Sequence, residues 1–112
     1  MKTIISLTSI PSRFKYISTT LDSLLAQDTK VDKIILYVPK YYQRFNMKLD
    51  KLPTVPDGII AKFSDTDYGP ATKILPAVKD FFEEDVRIIF CDDDRIYPKN
   101  LVSTLISVSK KR

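Results

Sequence analysis

Apolar residues in this chain fall into short dense runs separated by stretches with helical spacing. Ile4, Ile5, Leu7 and Ile10 predict a buried strand from about Lys2 to Thr8, followed by a loop, Ser9-Ile10-Pro11-Ser12. Phe14, Ile17, Leu21, Leu24 and Leu25 then recur at helical intervals, which predicts an amphipathic helix over residues 13–25 with Ser12 as N-cap. Lys33-Ile34-Ile35-Leu36-Tyr37-Val38 reads as a second strand, ended by Pro39. Residues 40–58 hold Pro53 and Pro56 and show no clean period; a short helix around Tyr41–Phe45 and an irregular connection are expected. Ile59-Ile60-Ala61-Lys62-Phe63 is a third strand, and the polar loop after it turns at Gly69-Pro70. A helix is expected from Ala71 to about Phe82, with Pro76 early in it or kinking it. Val86 to Cys91 is a fourth strand. Pro98 suits the first position of a last helix, with Leu101, Val102, Leu105, Ile106 and Val108 on its apolar side.

Strands alternating with helices predict an α/β fold, Rossmann-like, with a mainly parallel sheet of about four strands flanked by helices. The near-continuous Ile, Leu and Val content of the strands fits burial on both faces. Such sheets bind ligands beyond the carboxyl ends of their strands. Those ends are Thr8-Ser9, Val38-Pro39, Ser64-Asp65 and Asp92-Asp93-Asp94, so hydroxyls and acids collect along one edge.

Length and composition narrow the functions. The 112 residues fit one domain, 1–112, and 44% hydrophobic content supports one modest core. Lys and Arg number 18 against 14 acids, a net +4 that suits a small anionic ligand. That excess is too diffuse to argue for nucleic acid, and no nucleic-acid partner is expected. The single cysteine, Cys91, excludes an internal disulfide and fits a reducing compartment, so a cytoplasmic location is expected. The absence of His excludes a Ser-His or Cys-His hydrolase. The N-terminal apolar run is interrupted by Ser and Thr and lacks a small-residue cleavage site, so it reads as a strand and not as a signal peptide.

The triple Asp carries the strongest chemical signal. In an extended stretch Asp92 and Asp94 project to one side and Asp93 to the other. Crowded carboxylates call for a compensating cation or donors. One acid of the pair could bind Mg²⁺ or Mn²⁺ while the other reaches a ribose hydroxyl or a metal-bound water. The same residues also suit a solvated acidic turn before the last helix. Thr8-Ser9-Ile10-Pro11-Ser12-Arg13 has no glycine, so it is neither a P-loop nor a dinucleotide fingerprint. Its hydroxyls and Arg13 could hold a nucleoside and its phosphate, or simply cap the turn. Lys73, read in the first turn of a helix, opposes the dipole; a phosphate would resolve that conflict, as would plain solvent exposure. Arg95 is a candidate to neutralise Asp93. Tyr37, Tyr41, Tyr42 and Phe45 could line a base or sugar pocket, with core packing as the competing role. Lys110-Lys111-Arg112 suits a helix C-terminus.

Taken in order, several segments resemble the opening of GT-A nucleotide-sugar glycosyltransferases. They are Ile5-Ser6-Leu7-Thr8-Ser9-Ile10-Pro11-Ser12-Arg13, Leu24-Leu25-Ala26-Gln27 and Asp32-Lys33-Ile34-Ile35-Leu36. Ile88-Ile89-Phe90-Cys91-Asp92-Asp93-Asp94 resembles the DxD motif of that family. Gly69-Pro70-Ala71-Thr72-Lys73-Ile74-Leu75-Pro76 and Asn100-Leu101 are similar to segments of exostosin-like and bacterial or viral capsule-type members. The resemblance implies a GT-A half-domain that binds a nucleoside diphosphate sugar, UDP-sugar favoured, for transfer to a glycan acceptor. It implies Mn²⁺ or Mg²⁺ on Asp94, aided by Asp92, with Asp92 and Asp93 toward the ribose and sugar. Thr8, Ser9, Pro11 and Arg13 would border the nucleoside, Asp65 or Asp67 the base or ribose, and Lys73 the phosphates. Relatives place an Asp after the second strand to read uracil, where this chain has Val38-Pro39-Lys40. They also continue into an acceptor-binding half that supplies the catalytic base, so the chain is expected to be the donor-binding half and no catalytic residue is assigned.

Two other classes stay open. One is a metal-dependent phosphotransferase or phosphohydrolase, although Thr8-Ser9 stands where an Asp nucleophile would follow the first strand. The other is a non-catalytic half-domain that pairs with itself or with a partner chain.

Overall fold

A computed structural model describes residues 1–110. In chain order the main elements are β1 (Lys2–Thr8), α1 (Ser18–Leu25), β2 (Lys33–Pro39), β3 (Tyr41–Tyr42) and β4 (Met47–Lys48). They continue with β5 (Ile59–Ser64), α2 (Leu75–Asp80), β6 (Val86–Phe90) and α3 (Leu101–Lys110). The expected α/β class is present: four parallel strands in the order β5-β2-β1-β6, flanked by helices.

β1 runs through the middle of this sheet, and Thr3 to Leu7 are all buried. Side chains alternate across the pleat and build two cores. Ile5 and Leu7 join Ile34, Leu36 and Val38 against Leu21 and Leu24 of α1 and Val102 of α3. Ile4, Ile35 and Tyr37 face the other way, onto Ala77 and Phe81. The Tyr37 hydroxyl on that side donates to Asp80 Oδ2 at 2.9 Å, and Lys62 Nζ donates to the same oxygen at 2.7 Å.

Several expected elements differ in form. The helix over 13–25 is split: a 3₁₀ segment, Pro11–Tyr16, precedes α1, so Ser12 lies inside a turn begun by Pro11 and caps nothing. The expected 71–82 helix is likewise a 3₁₀ segment, Gly69–Lys73, followed by the six-residue α2. Pro76 stands in the first turn of α2, where its missing N–H leaves no broken bond. Of the short helix expected around Tyr41–Phe45, only a three-residue 3₁₀ turn, Gln43–Phe45, is present. Tyr41–Tyr42 pairs antiparallel with Met47–Lys48 across that turn, and Asn46 closes it at φ 47°. α3 begins at Leu101, after Pro98. Of its expected apolar side, Val102 is buried and Leu101 and Ile106 pack partly, while Leu105 and Val108 are exposed. Lys111 and Arg112 lie outside the described residues. Among the described residues no helix is long and apolar enough to cross a membrane.

Candidate binding pocket at the carboxyl edge of the sheet

The parallel order brings the ends of β1, β2 and β6 side by side. Beyond β1 the chain turns sharply, and Ser9, 4% exposed, donates through Oγ to Asp93 Oδ2 at 2.5 Å. Arg13 Nη1 donates to the other Asp93 oxygen at 3.0 Å. Thr20 of α1 donates to the Asp93 carbonyl at 3.1 Å. Asp93, 8% exposed, is therefore a buried anchor that fastens the first loop and α1 to the end of β6. Exposure alternates from Cys91 to Asp94, so Asp92 and Asp94 are open to solvent.

Lys73 Nζ lies 2.8 Å from Asp92 Oδ1. The hydrogen bond and charge of Lys73 hold the Asp92 carboxyl below the usual carboxylate range. Lys73 ends the 3₁₀ segment and does not begin a helix; its counter-charge is Asp92 and no dipole conflict arises. Ser6 Oγ donates to the Lys73 carbonyl at 2.6 Å and pins this segment to the centre of the sheet. Arg95 does not neutralise Asp93, a role that Arg13 fills.

A cavity of about 300 Å³ opens at this edge. Of the residues named from the sequence, Thr8, Ser9, Arg13, Asp67, Lys73, Asp92 and Asp93 line it. Pro11, Asp65 and Asp94 do not line it. Asp65 instead faces Lys40 at 3.6 Å on the surface. Asp67 is half-buried and accepts from the backbone N–H groups of Gln43 at 3.0 Å and Gly69 at 2.8 Å.

The aromatic candidates divide. Tyr37 is fully buried on the α2 side and Tyr41 stays outside the cavity, whereas Tyr42 and Phe45 line it. The Tyr42 hydroxyl donates to the Ser9 carbonyl at 2.9 Å, and burial, reinforced by Asp67 and Asp93, pushes its pKa up. Arg44 also lines the cavity and had no signal in the sequence, because the hairpin strands beside it are two residues each and too short to show a period; Thr72, in the Gly69–Lys73 segment, lines it too. The Cys91 thiol lines it as well; burial pushes it up to about 11, so it is a protonated wall at neutral pH and not a nucleophile.

Among the described residues no three Asp, Glu or Cys side chains gather into a ready-made cation cage. Asp93 is committed to Ser9 and Arg13. Of the other two, Asp92 is paired with Lys73 and Asp94 lies outside the cavity lining, so Mg²⁺ or Mn²⁺ on both carboxylates would require Lys73 to release Asp92. No family model matches the chain, and no curated protein matches it.

Proposed function

We propose that this chain is a donor-binding domain of GT-A type, taking a nucleoside diphosphate sugar, UDP-sugar favoured, together with Mn²⁺ or Mg²⁺ for glycosyl transfer to a glycan acceptor. The observation that carries the reading is the gathering of Arg13, Lys73, Asp92 and Asp93 around one cavity at the carboxyl edge of a parallel sheet. A mixed set of cations and acids suits a ligand that is anionic and also brings a metal.

Within this reading each side chain has its own work. Asp93 fixes the first loop and keeps Ser9 and Thr8 against the nucleoside. Lys73 would pair with the diphosphate, leaving Asp92 and Asp94 to hold the ion. When bound, such an ion would supply positive charge to offset that of the leaving nucleoside diphosphate. Calorimetric titration of UDP-sugars and GDP-sugars, with and without Mn²⁺, tests the proposal. Metal-dependent binding is expected, and its absence in both series sinks the idea.

A second reading is a non-catalytic module that associates with a second copy or another chain. It draws on the unpaired edge of β6 and on exposed Ile60, Phe82 and Phe90. A monomeric mass in solution for a protein that still binds donor argues against it.

A further inference from the structure

The β3–β4 hairpin is unusually well fastened for so short an element. Tyr42 ties it to Ser9, Leu49 N–H donates to the Lys40 carbonyl at 2.7 Å across its base, and Gln43 N–H donates to Asp67. It holds Arg44 at the cavity with the guanidinium 5.3 Å from the centre of the Phe45 ring. Arg13 and Lys73 are each paired with an acid, but no described carboxylate forms an ion pair with Arg44. The guanidinium thus presents donors and no acceptor to whatever fills the cavity. Asp67, which lines the same cavity and is bonded to the N–H of Gln43, the residue before Arg44, presents acceptors only. Its two oxygens each take one backbone N–H and keep lone pairs to spare.

The hairpin follows β2, whereas the acids follow β6, with β1 between them. Two strand spacings, about 10 Å, separate these ends of the cavity. Resting on the donor-binding reading, which gives the β6 end to the diphosphate, we infer that Arg44 and Asp67 read the nucleobase and select one with a carbonyl beside a ring N–H. Arg44 donates to the carbonyl and Asp67 accepts from the N–H. Uracil and guanine offer this order of groups. Cytosine and adenine invert it, turning an amino group toward Arg44 and a ring lone pair toward the Asp67 carboxylate, so both contacts become repulsive. Phe45 and Tyr42 supply an apolar wall for the ring, their centroids 6.4 Å apart.

The test is calorimetric binding of UDP, GDP, CDP and ADP in the presence of Mn²⁺, to the native chain and to Arg44→Met and Asp67→Asn. UDP and GDP are expected to bind at least about tenfold more tightly than CDP and ADP. Arg44→Met should weaken UDP and GDP by about tenfold without weakening CDP or ADP, which lose a repulsive contact. Asp67→Asn, whose amide can donate, should narrow the gap between UDP and CDP. Thermal melts confirm that both variants stay folded. Equal affinity for all four nucleotides, or an Arg44→Met loss spread evenly over them, overturns the inference while leaving metal-dependent donor binding intact. If no nucleotide binds with or without Mn²⁺, the donor-binding reading falls and takes this one with it.

Discussion

Arg13 and Asp93, eighty residues apart in the chain, meet at 3.0 Å and join the loop after the first strand to the acids after the last one. The carboxylate is buried while the side chain of Arg13 is 51% exposed, so screening reduces the worth of the ion pair itself. The larger contribution comes from the buried Ser9 hydroxyl, whose partner has no substitute. Asp93→Ala should therefore destabilise the chain by about 1–3 kcal/mol, read as a lower urea midpoint. Arg13→Ala should cost less than Asp93→Ala. The reverse order would mean that the ion pair, and not the buried hydroxyl, holds this edge together.

The alkaline limit of stability follows from groups buried in their protonated forms. Burial pushes Cys91 from 9.0 up to about 11, and burial also pushes up Tyr37 and Tyr42. A raised folded pKa means that the unfolded chain loses its proton first. The stability these groups contribute is full below pH 9 for Cys91, falls from there, and is gone once pH passes about 11. The tyrosines extend the fall upward. Chemical denaturation between pH 8 and 11 should show this decline, and Cys91→Ala should flatten its first part. A flat profile over that range contradicts the burial assigned to these groups.

On the acid side the group to watch is Asp80. Burial alone would raise it, but the hydrogen bonds from Lys62 and Tyr37 outweigh that and hold it below 3.8. Its stabilisation is present above the ordinary carboxylate value and is lost as pH falls through the lower folded one. Asp80→Ala should cost about 1–3 kcal/mol at pH 7, because Tyr37, fully buried, keeps a hydroxyl without a partner. It should also remove part of the acid limb. Lys62→Ala, on the half-exposed partner, should cost under about 1 kcal/mol. Comparable losses for the two variants would undo this ranking.

The fold was legible because β1, β2, β5 and β6 carry dense apolar runs; β1 and β2 are buried on both faces, while Ile60 of β5 and Phe90 of β6 stay exposed on the edge strands. The gathering of Thr8, Ser9, Arg13, Lys73, Asp92 and Asp93 at one edge was legible for the same reason, since parallel strands deliver all their carboxyl ends to one side. What stayed hidden was decided by tertiary partners. Tyr37 was open to a pocket or a core role, and the pleat turns it into the core toward Asp80. Arg95 looked like the neighbour of Asp93, but Arg13 reaches it through space. The hairpin at Tyr41–Lys48 is held by Ser9 and Asp67, neither of which local spacing reveals.

Asp94 separates the metal assignment from the fold. It is exposed, lies outside the cavity lining, and makes no ion pair among the described residues. Asp94→Ala should leave the melting temperature within the shift of a surface substitution, about 0.5 kcal/mol. The same change should abolish Mn²⁺-dependent binding of UDP. Unchanged affinity in the presence of Mn²⁺ refutes Asp94 as a ligand.

Lys73 gives two readouts of opposite sign. Its ammonium sits 2.8 Å from Asp92, so any cation approaching that carboxylate must compete with it. Removing the charge with Lys73→Met frees Asp92 and lets its carboxyl return toward the ordinary range. Mn²⁺ alone should then bind a few-fold more tightly, in line with the loss of one competing charge near a partly exposed pair. The nucleotide should respond the other way, because a diphosphate loses a charged partner; UDP in saturating Mn²⁺ should weaken by about tenfold. A purely structural lysine would move neither quantity in this pattern, since melting would fall and both affinities would drop together. Titration of Mn²⁺ followed by titration of UDP, on the native chain and the variant, separates the two cases. Equal losses in both titrations would assign Lys73 to the scaffold and leave the phosphates to other cations at this edge.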